Sequence, residues 1–212
     1  MTFQNPAADC GLCPRLVQYR RTNAVAFPDW HNAPVPSFGP SGARLLIVGL
    51  APGLRGANRT GRPFTGDVAG DLLYPTIAAF GFGTGSFDAR PDDGFRMTGA
   101  RVTNAVRCVP PENKPTTPEI KACNPFLKAE IGAMQNLQAI LALGLVAHKA
   151  VLRALGLTAA RYPFAHGAMH ALPSGLMLAD SYHCSRYNTN TGRLTEEMFC
   201  AVFAELRARL DA

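Results

Sequence analysis

The sequence predicts an α/β fold: a three-layer α/β/α sandwich with a central, mostly parallel four-stranded sheet, in a single domain of residues 1–212. Three observations support this. Short apolar runs are continuous rather than alternating, which is typical of strands covered on both faces. Segments with apolar residues at helical spacing lie between these runs. The length and the 47% hydrophobic content are enough for one core of ordinary size and exclude a disordered tail.

The strands are expected at four apolar runs, residues 44–49, 101–106, 139–143 and 176–179. Helices are expected at residues 71–80, 124–137, 145–155 and 195–210. Asn124 followed by Pro125 is a helix-start signal, and Gly156 is a helix-stop signal. The last helix has acidic residues in its first turn and basic residues in its last turn, as the helix dipole favours.

Strands that alternate with helices predict a doubly wound sheet, whose ligands bind beyond the carboxyl ends of the strands. Two segments leave such ends, the loop of residues 49–67 and the chain after Ala179. Chemistry is therefore expected in these two segments.

The charge balance is basic, with 21 Lys and Arg against 15 Asp and Glu. This favours a polyanionic partner, but an inert basic surface is the more common explanation of such a balance. The apolar run of residues 139–147 is too short for a membrane span, so no membrane association is expected. The N-terminus lacks a basic patch followed by an apolar stretch, which predicts a reducing cytoplasmic location without disulfides.

The six cysteines divide by spacing. Cys10 and Cys13 form a close pair, while Cys108 and Cys123 form a looser pair in and after a proline-rich loop. Four such thiolates suit a zinc ion or an iron-sulfur cluster, and the extended second pair favours the cluster. A redox pair at Cys10 and Cys13 is the alternative. Cys184 and Cys200 are expected to be small apolar side chains in the core.

The loop of residues 49–67 is rich in glycine but is not a standard nucleotide cradle. It lacks both the Lys-Ser/Thr ending of a P-loop and the dinucleotide fingerprint. Its glycines allow close backbone approach to a ligand, its arginines can meet phosphate, Phe64 offers a stacking face and Asp67 closes the segment with a carboxylate.

Five ordered segments carry a resemblance to a known family: CGLC (10–13), GRPFTGD (61–67), TNAVRCVPPENKP (103–115), CNPFL (123–127) and DSYHCSRYNTNTGRLT (180–195). With these segments the chain resembles the iron-sulfur uracil-DNA glycosylases, and within them family 5, also called type b. Family 4 enzymes carry a glutamate just after the first glycine of the loop, where this chain has Leu50.

The resemblance implies a monofunctional hydrolase that removes uracil, and other deaminated bases such as hypoxanthine and xanthine, from DNA and leaves an abasic site. It implies that Phe64 stacks on the flipped base, that Asn104 contacts its pairing edge and that His183 donates to a base oxygen. Asp67 is the implied catalytic carboxylate. Gly49 and Ala51 would line the base pocket.

The resemblance also implies a 4Fe-4S cluster held by Cys10, Cys13, Cys108 and Cys123. Double-stranded or single-stranded DNA is the implied partner of a monomeric protein. The implied DNA contacts are made by Arg59, Arg62, Arg186, Tyr187 and Arg193. Arg15, Arg20 and Arg21 are further phosphate candidates. Cys184 stands where the family more often has proline, which affects the histidine loop.

Each implied residue has a plain structural alternative. Asp67 could be a helix cap, Phe64 a core residue, Asn104 a turn residue and His183 a core histidine. The arginines could lie on a solvated surface. A non-catalytic iron-sulfur module that binds DNA, and a thiol-based or electron-transfer protein, are the alternative functions.

Overall fold

The structure, a computed structural model, describes residues 3–212. Within them, the helices and strands follow in this order: α1 Pro14–Ala26, β1 Leu45–Gly49, α2 Ala57–Thr60, α3 Val68–Ala79, β2 Gly83–Thr84, β3 Arg96–Met97, β4 Ala100–Asn104, α4 Thr117–Ala133, β5 Ala139–Leu143, α5 Leu145–Ala154, β6 Met169–Ala171, β7 Met177–Ser181, α6 Arg186–Asn190 and α7 Glu196–Asp211.

The central sheet has the strand order β4-β1-β5-β7-β6, with β6 antiparallel to β7 and the other pairs parallel. The four predicted strands are confirmed, but the sheet has five strands, because β6 pairs with the edge of β7. Residues 169–171 are short, partly exposed and include His170, so they lack the continuous apolar run that revealed the other strands. A separate hairpin joins β2 and β3.

The three-layer architecture is visible in how β1 distributes its side chains. Leu45 and Ile47 enter one core with residues of α3 and α7, while Leu46 and Val48 enter a second core with residues of α4 and α5. All five residues of β1 are buried. Both faces of the sheet are therefore covered, which is why the strands read as continuous apolar runs.

Four helices differ from the sequence prediction: α4 begins elsewhere, and α1 and the short helices α2 and α6 were not expected. Helix α4 begins at Thr117 rather than near Asn124, because Thr116 and Glu119 form a capping box there. Pro125 lies inside this helix, and the Asn124 side chain donates to the Ala150 carbonyl at 2.8 Å. The sequence did not predict α1, whose apolar residues follow no marked helical stripe.

The sheet order places a topological switch point at β1. The chain passes from β1 to β4 on one side and later returns to β5 on the other. Gly49 and Asn104 are in register at the carboxyl ends of β1 and β4. This is the edge at which doubly wound sheets bind ligands. Among residues 3–212, no helix is both long and apolar enough to cross a membrane.

Candidate active site

The predicted site residues from three separate segments meet at the switch point. A small pocket of about 30 Å³ is lined by Phe64, Asp67, Asn104 and His183, together with residues of the glycine-rich loop. It adjoins a cleft of about 710 Å³ that also contacts Asp67 and His183. Ala51 lines both spaces.

Gly49 lets two side chains approach the floor of the pocket. A Cβ atom at this position would lie 2.4 Å from the Phe64 ring and 2.5 Å from Asn104 Oδ1. Asn104 is buried, and its Oδ1 has no hydrogen-bond partner within residues 3–212. A buried amide oxygen without a partner is costly unless a ligand donates to it.

Phe64 adopts a positive φ of 53°, which is unusual for a bulky residue. Gly70 of α3 makes room for this conformation, since a Cβ atom there would lie 1.9 Å from the Phe64 carbonyl oxygen. The Phe64 ring lies 5.8 Å from the His183 ring between centroids, with 28° between the ring planes. Phe64 is buried, yet it lines the pocket, so it serves both as a core residue and as a pocket wall.

Asp67 immediately precedes α3 and lies over the backbone of the glycine-rich loop. A Cβ atom at Gly56 would lie 2.4 Å from Asp67 Oδ2. Burial raises the pKa of Asp67, and the amide groups of Gly70 and Ala69 act in the opposite direction. Oδ1 is buried and has no hydrogen-bond partner in the described part of the chain. Asp67 therefore occupies the N-cap position of α3 and also lines the pocket, but its side chain makes no capping hydrogen bond in the described residues.

His183 follows β7 and is held by its backbone. Its carbonyl oxygen accepts a hydrogen bond of 2.8 Å from the Asn188 side chain in α6. Burial lowers the pKa of His183 to about 4. The imidazole is therefore neutral at physiological pH and offers one N–H donor.

The cleft beside the pocket carries exposed basic and aromatic groups. Arg186 and Tyr187 line it at the start of α6, and Tyr187 is 71% exposed. Arg59 and Arg193 are also exposed, and Arg193 lies over the Tyr182 ring at 4.6 Å. Arg55, which the sequence did not single out, lines the cleft as well.

Arg62 does not fit its predicted role as a DNA contact. Its guanidinium is buried and donates two hydrogen bonds, of 2.8 and 2.6 Å, to the Asp93 carboxylate. It also lies over the Phe38, Tyr74 and Phe87 rings at 5.1–5.5 Å. This pair holds the loop that carries Phe64, so Arg62 has a structural role.

The four cysteines predicted as ligands line a common cavity with Leu16, Arg20 and Val106. Cys13 immediately precedes α1, and Cys123 lies in α4. Burial raises the pKa of Cys13 to about 11 and that of Cys108 to about 12. Without a cation these thiols stay protonated, whereas bound iron or zinc would deprotonate them.

The cavity also carries groups that suit an anionic cluster. The Arg107 amide donates to Cys123 Sγ at 3.4 Å. Arg20 lowers the pKa of Cys13 and of Cys108, and its Nε is buried without a hydrogen-bond partner within residues 3–212. Because Arg20 also binds the carbonyls of Ala8 and Cys10, both at 2.7 Å, it is not free for phosphate. These residues fit a metal group with four thiolate ligands.

Arg15 is also engaged within the protein. It forms a two-pronged pair with Glu119 at 2.7 Å, which links α1 to α4. Arg21 is exposed. Among the three arginines near the first cysteine pair, Arg21 is the one whose side chain has no partner within residues 3–212.

The part of the chain that carries both the fold and the site matches a known protein family. A family model described as "Uracil DNA glycosylase superfamily" matches residues 36–207. The chain belongs to the uracil DNA glycosylase superfamily. The match includes the pocket and Cys108 and Cys123, and it begins after Cys10 and Cys13.

Relatives place the chain within the type-5 group of the superfamily. It is 46% identical to the type-5 uracil-DNA glycosylase of Thermus thermophilus, covering 97% of this chain and 95% of that protein. It is 40% identical to the Pyrobaculum aerophilum type-5 protein, covering 99% and 92%. A type-4 uracil-DNA glycosylase of P. aerophilum is 36% identical over 70% of this chain and 62% of that protein. The resemblance to family 5 is confirmed.

The structure adds residues to this superfamily site that the sequence did not single out. Asn113 lines the cleft in a left-handed conformation with φ 57°, next to Glu112 with φ 54°. Val146, at the start of α5, also lines the cleft and is 37% exposed. Arg55 and Asn113 lie in segments that the sequence already marked, the glycine-rich loop and residues 103–115, whereas Val146 had no such signal.

Proposed function

We propose that this protein is a monofunctional DNA glycosylase that hydrolyses the N-glycosidic bond of uracil in DNA and leaves an abasic site. The observation that carries the proposal is the pair of buried oxygen atoms without partners, Asn104 Oδ1 and Asp67 Oδ1, at one pocket. The first suits a base and the second suits water or a sugar cation. The names of the type-5 relatives support the same reaction.

Base recognition follows from the groups in the pocket. Uracil presents an N–H donor between two carbonyl oxygens on its pairing edge. The free Oδ1 of Asn104 accepts from that N–H, and the other end of the amide donates to a carbonyl oxygen. Phe64 supplies an apolar face for a base that has left the stack.

The leaving group is stabilised as an anion. When the bond between the sugar C1′ and the base nitrogen breaks, its electron pair moves into the base and onto its oxygens. His183 is neutral, so it stabilises this charge as an N–H donor and does not transfer a full proton. Such a donor acts strongly because the pocket is partly closed to water.

Asp67 completes the reaction on the sugar side. The transition state resembles an oxocarbenium ion, which a nearby carboxylate stabilises. A water molecule then attacks C1′, and Asp67 accepts its proton. Gly53 and Gly56 allow the carboxylate to lie against the loop that would carry this water.

The cleft is the proposed path for DNA, double-stranded or single-stranded. Arg55, Arg59, Arg186 and Arg193 are available for phosphates, and Tyr187 is placed to fill the gap left by a flipped nucleotide. Leu50 lines the cleft where family 4 enzymes have glutamate, which supports a broader base range that includes hypoxanthine and xanthine.

The proposal includes a 4Fe-4S cluster on Cys10, Cys13, Cys108 and Cys123. It would supply a covalent link between the N-terminal segment and α4 and is not assigned a part in bond breaking. The protein is proposed to act as a single-domain monomer in the reducing cytoplasm, where such thiolates persist.

The test uses the full-length protein with its cluster and a duplex that contains one uracil. Under single-turnover conditions, alkali should cleave the strand only at the uracil position after incubation. Matched duplexes with hypoxanthine or xanthine measure the base range. Binding without alkali-sensitive sites on any of these substrates would favour the non-catalytic DNA-binding alternative and contradict the proposal.

The pH dependence should separate the roles of Asp67 and His183. Because burial raises the pKa of Asp67, the single-turnover rate should fall as the pH decreases through that raised value. His183, with a pKa of about 4, should add no step above about pH 5. Rates measured from pH 5 to 8.5 check this. A step near pH 6.5 that disappears in His183→Gln would contradict a neutral His183.

Arg62 and Arg186 should respond differently to alanine substitution. Arg62→Ala removes the cationic partner of the Asp93 carboxylate, whose side chain is 0% exposed, so it should lower the free energy of unfolding by about 3–5 kcal/mol. Arg186→Ala should leave stability unchanged and reduce the slope of log Kd against log salt by about 1. Thermal unfolding and binding titrations measure both. If Arg62→Ala folds and its salt slope differs from that of wild type, Arg62 contacts phosphate as the sequence predicted.

A further inference from the structure

A second cluster of ligand-type side chains lies outside the active site. His148 of α5, His170 of β6 and Asp180 of β7 each offer an atom, and these atoms all lie within 4.8 Å of one another. The side chains of His148 and Asp180 are 1% and 0% exposed, and that of His170 is 14% exposed. The proposed glycosylase reaction uses none of them.

The hydrogen bonds of His148 indicate that a proton or a metal ion lies between this side chain and Asp180. Its Nε2 lies 2.8 Å from the Tyr162 carbonyl oxygen, which can only accept, so Nε2 carries a hydrogen. In a neutral imidazole the other nitrogen, Nδ1, then presents a lone pair. This Nδ1 lies 2.7 Å from Asp180 Oδ1. Two acceptors at this distance require a proton or a metal ion between them.

His170 is the third possible metal ligand, and it lies next to the other oxygen of the Asp180 carboxylate. Its Nε2 lies 3.3 Å from Asp180 Oδ2, and its ring is 5.9 Å from the His148 ring between centroids. The partial exposure of His170 leaves a route for an ion and for water. Two imidazoles and one carboxylate form a ligand set that suits zinc and similar divalent ions.

We propose that His148 Nδ1, His170 Nε2 and the carboxylate of Asp180 bind a divalent transition-metal ion of the zinc class. The ion replaces the proton between His148 and Asp180, which leaves to solvent, and water completes the coordination. Tetrahedral zinc with bonds of 2.0–2.1 Å separates its ligands by about 3.3 Å. His170 Nε2 already lies 3.3 Å from Asp180 Oδ2, whereas His148 Nδ1 lies 2.7 Å from the other oxygen, Oδ1, and must move away from it when the ion binds.

The hydrogen bond from His148 to Tyr162 is the outer contact expected of a metal ligand. Ligating histidines usually donate their second N–H to a carbonyl or carboxylate, which fixes the ring. The bound ion would join α5 and β6 to β7 three residues before His183. It would therefore stabilise the folded state by mass action, independently of the glycosylase reaction.

The test is zinc binding to the full-length protein with its cluster intact. Wild type, His170→Ala and the control His166→Ala are dialysed against zinc sulfate at a fixed free zinc concentration, and zinc and iron are measured by elemental analysis. His170 is chosen because it is the most exposed of the three ligands, so its loss should leave the protein folded. His166 is a nearby histidine outside the ligand set, whose Nδ1 accepts from the Tyr182 amide at 3.2 Å.

Wild type and His166→Ala should each bind about one zinc more than His170→Ala, whose affinity should fall at least about tenfold. Zinc should raise the Tm of the first two proteins and not that of His170→Ala. Equal zinc content in all three proteins, or no zinc retained by wild type, would mean that only a proton lies between His148 and Asp180. Iron content in each sample shows whether the cysteines have exchanged metal, and the result does not depend on glycosylase activity.

Discussion

Asp67→Asn should reduce the single-turnover excision rate by about 10²–10⁴-fold, because the amide cannot accept the proton of the attacking water. It should leave the affinity for a uracil-containing duplex close to that of wild type. The shape of the side chain is retained, and asparagine starts a helix as well as aspartate does. Rapid-quench excision and binding titrations measure the two quantities separately.

The same substitution should stabilise the protein at pH 7. Burial raises the folded-state pKa of Asp67 above its unfolded value, so the ionised form is disfavoured in the folded state. This carboxyl therefore favours folding below its unfolded pKa, and the benefit is lost as the pH rises through the raised value. Asp67→Asn should have a higher Tm than wild type at pH 7, and the difference should shrink as the pH falls.

A second variant changes the position of Asp67 without changing its chemistry. Gly56→Ala places a Cβ atom 2.4 Å from Asp67 Oδ2, so the carboxylate must move. Gly132→Ala in α4 is the matched control, since a Cβ atom there has nothing within 4 Å. Excision should fall in Gly56→Ala and stay unchanged in Gly132→Ala. Full activity in Asp67→Asn would remove Asp67 from the mechanism, whatever Gly56→Ala does.

The parts of the fold that the sequence predicted are those whose signal is local. The residues of β1 are apolar without alternation because both faces of the sheet are covered, and this pattern is visible in the sequence alone. Strand β6 carries no such pattern, because it is short and pairs at an edge. The start of α4 was misplaced because Asn124-Pro125 is a good helix start locally, while the capping box at Thr116 and Glu119 lies one to two turns earlier.

The residues of the candidate site also divide into those with a local sequence signal and those without one. Asp67, Asn104 and His183 were predicted from ordered segments, and the fold brings them to one pocket because each lies at or beyond the carboxyl end of a strand. Arg62 was misread because its partner, Asp93, is 31 residues away and no local signal links them. Burial of a charged side chain depends on such distant partners, so composition alone could not separate Arg62 from Arg59.

Helix α1 depends on contacts that only the tertiary structure shows. Its buried residues are Leu16, Arg20 and Asn23, and the small core around it consists of Leu16, Val106, Cys108 and Cys123. The pair of Arg15 and Glu119 adds a partly exposed link, which is worth little in water. So small an apolar core contributes little to fixing this segment, and the proposed cysteine ligation would be its main link to the rest of the fold.

Cys13→Ala should therefore cause a large loss of both iron and stability. Cys13 is only partly buried, so removing its side chain costs little packing, and the loss reports on ligation. Wild type should contain about four irons per chain and absorb at about 400 nm, as a cluster with four cysteine ligands gives. The variant should lose most of this iron, and its free energy of unfolding should fall by at least about 5 kcal/mol, because ligand binding contributes directly to folding.

Cys200→Ala is the matched control, since Cys200 is also partly buried and lies in α7, away from the cysteine cavity. It should keep the iron, the absorbance and the Tm of wild type. Limited proteolysis should cut residues 3–26 first in Cys13→Ala, because α1 loses its link to α4. Zinc in place of iron in wild type would assign the four cysteines to a zinc site, and unchanged iron and Tm in Cys13→Ala would exclude Cys13 from the ligands.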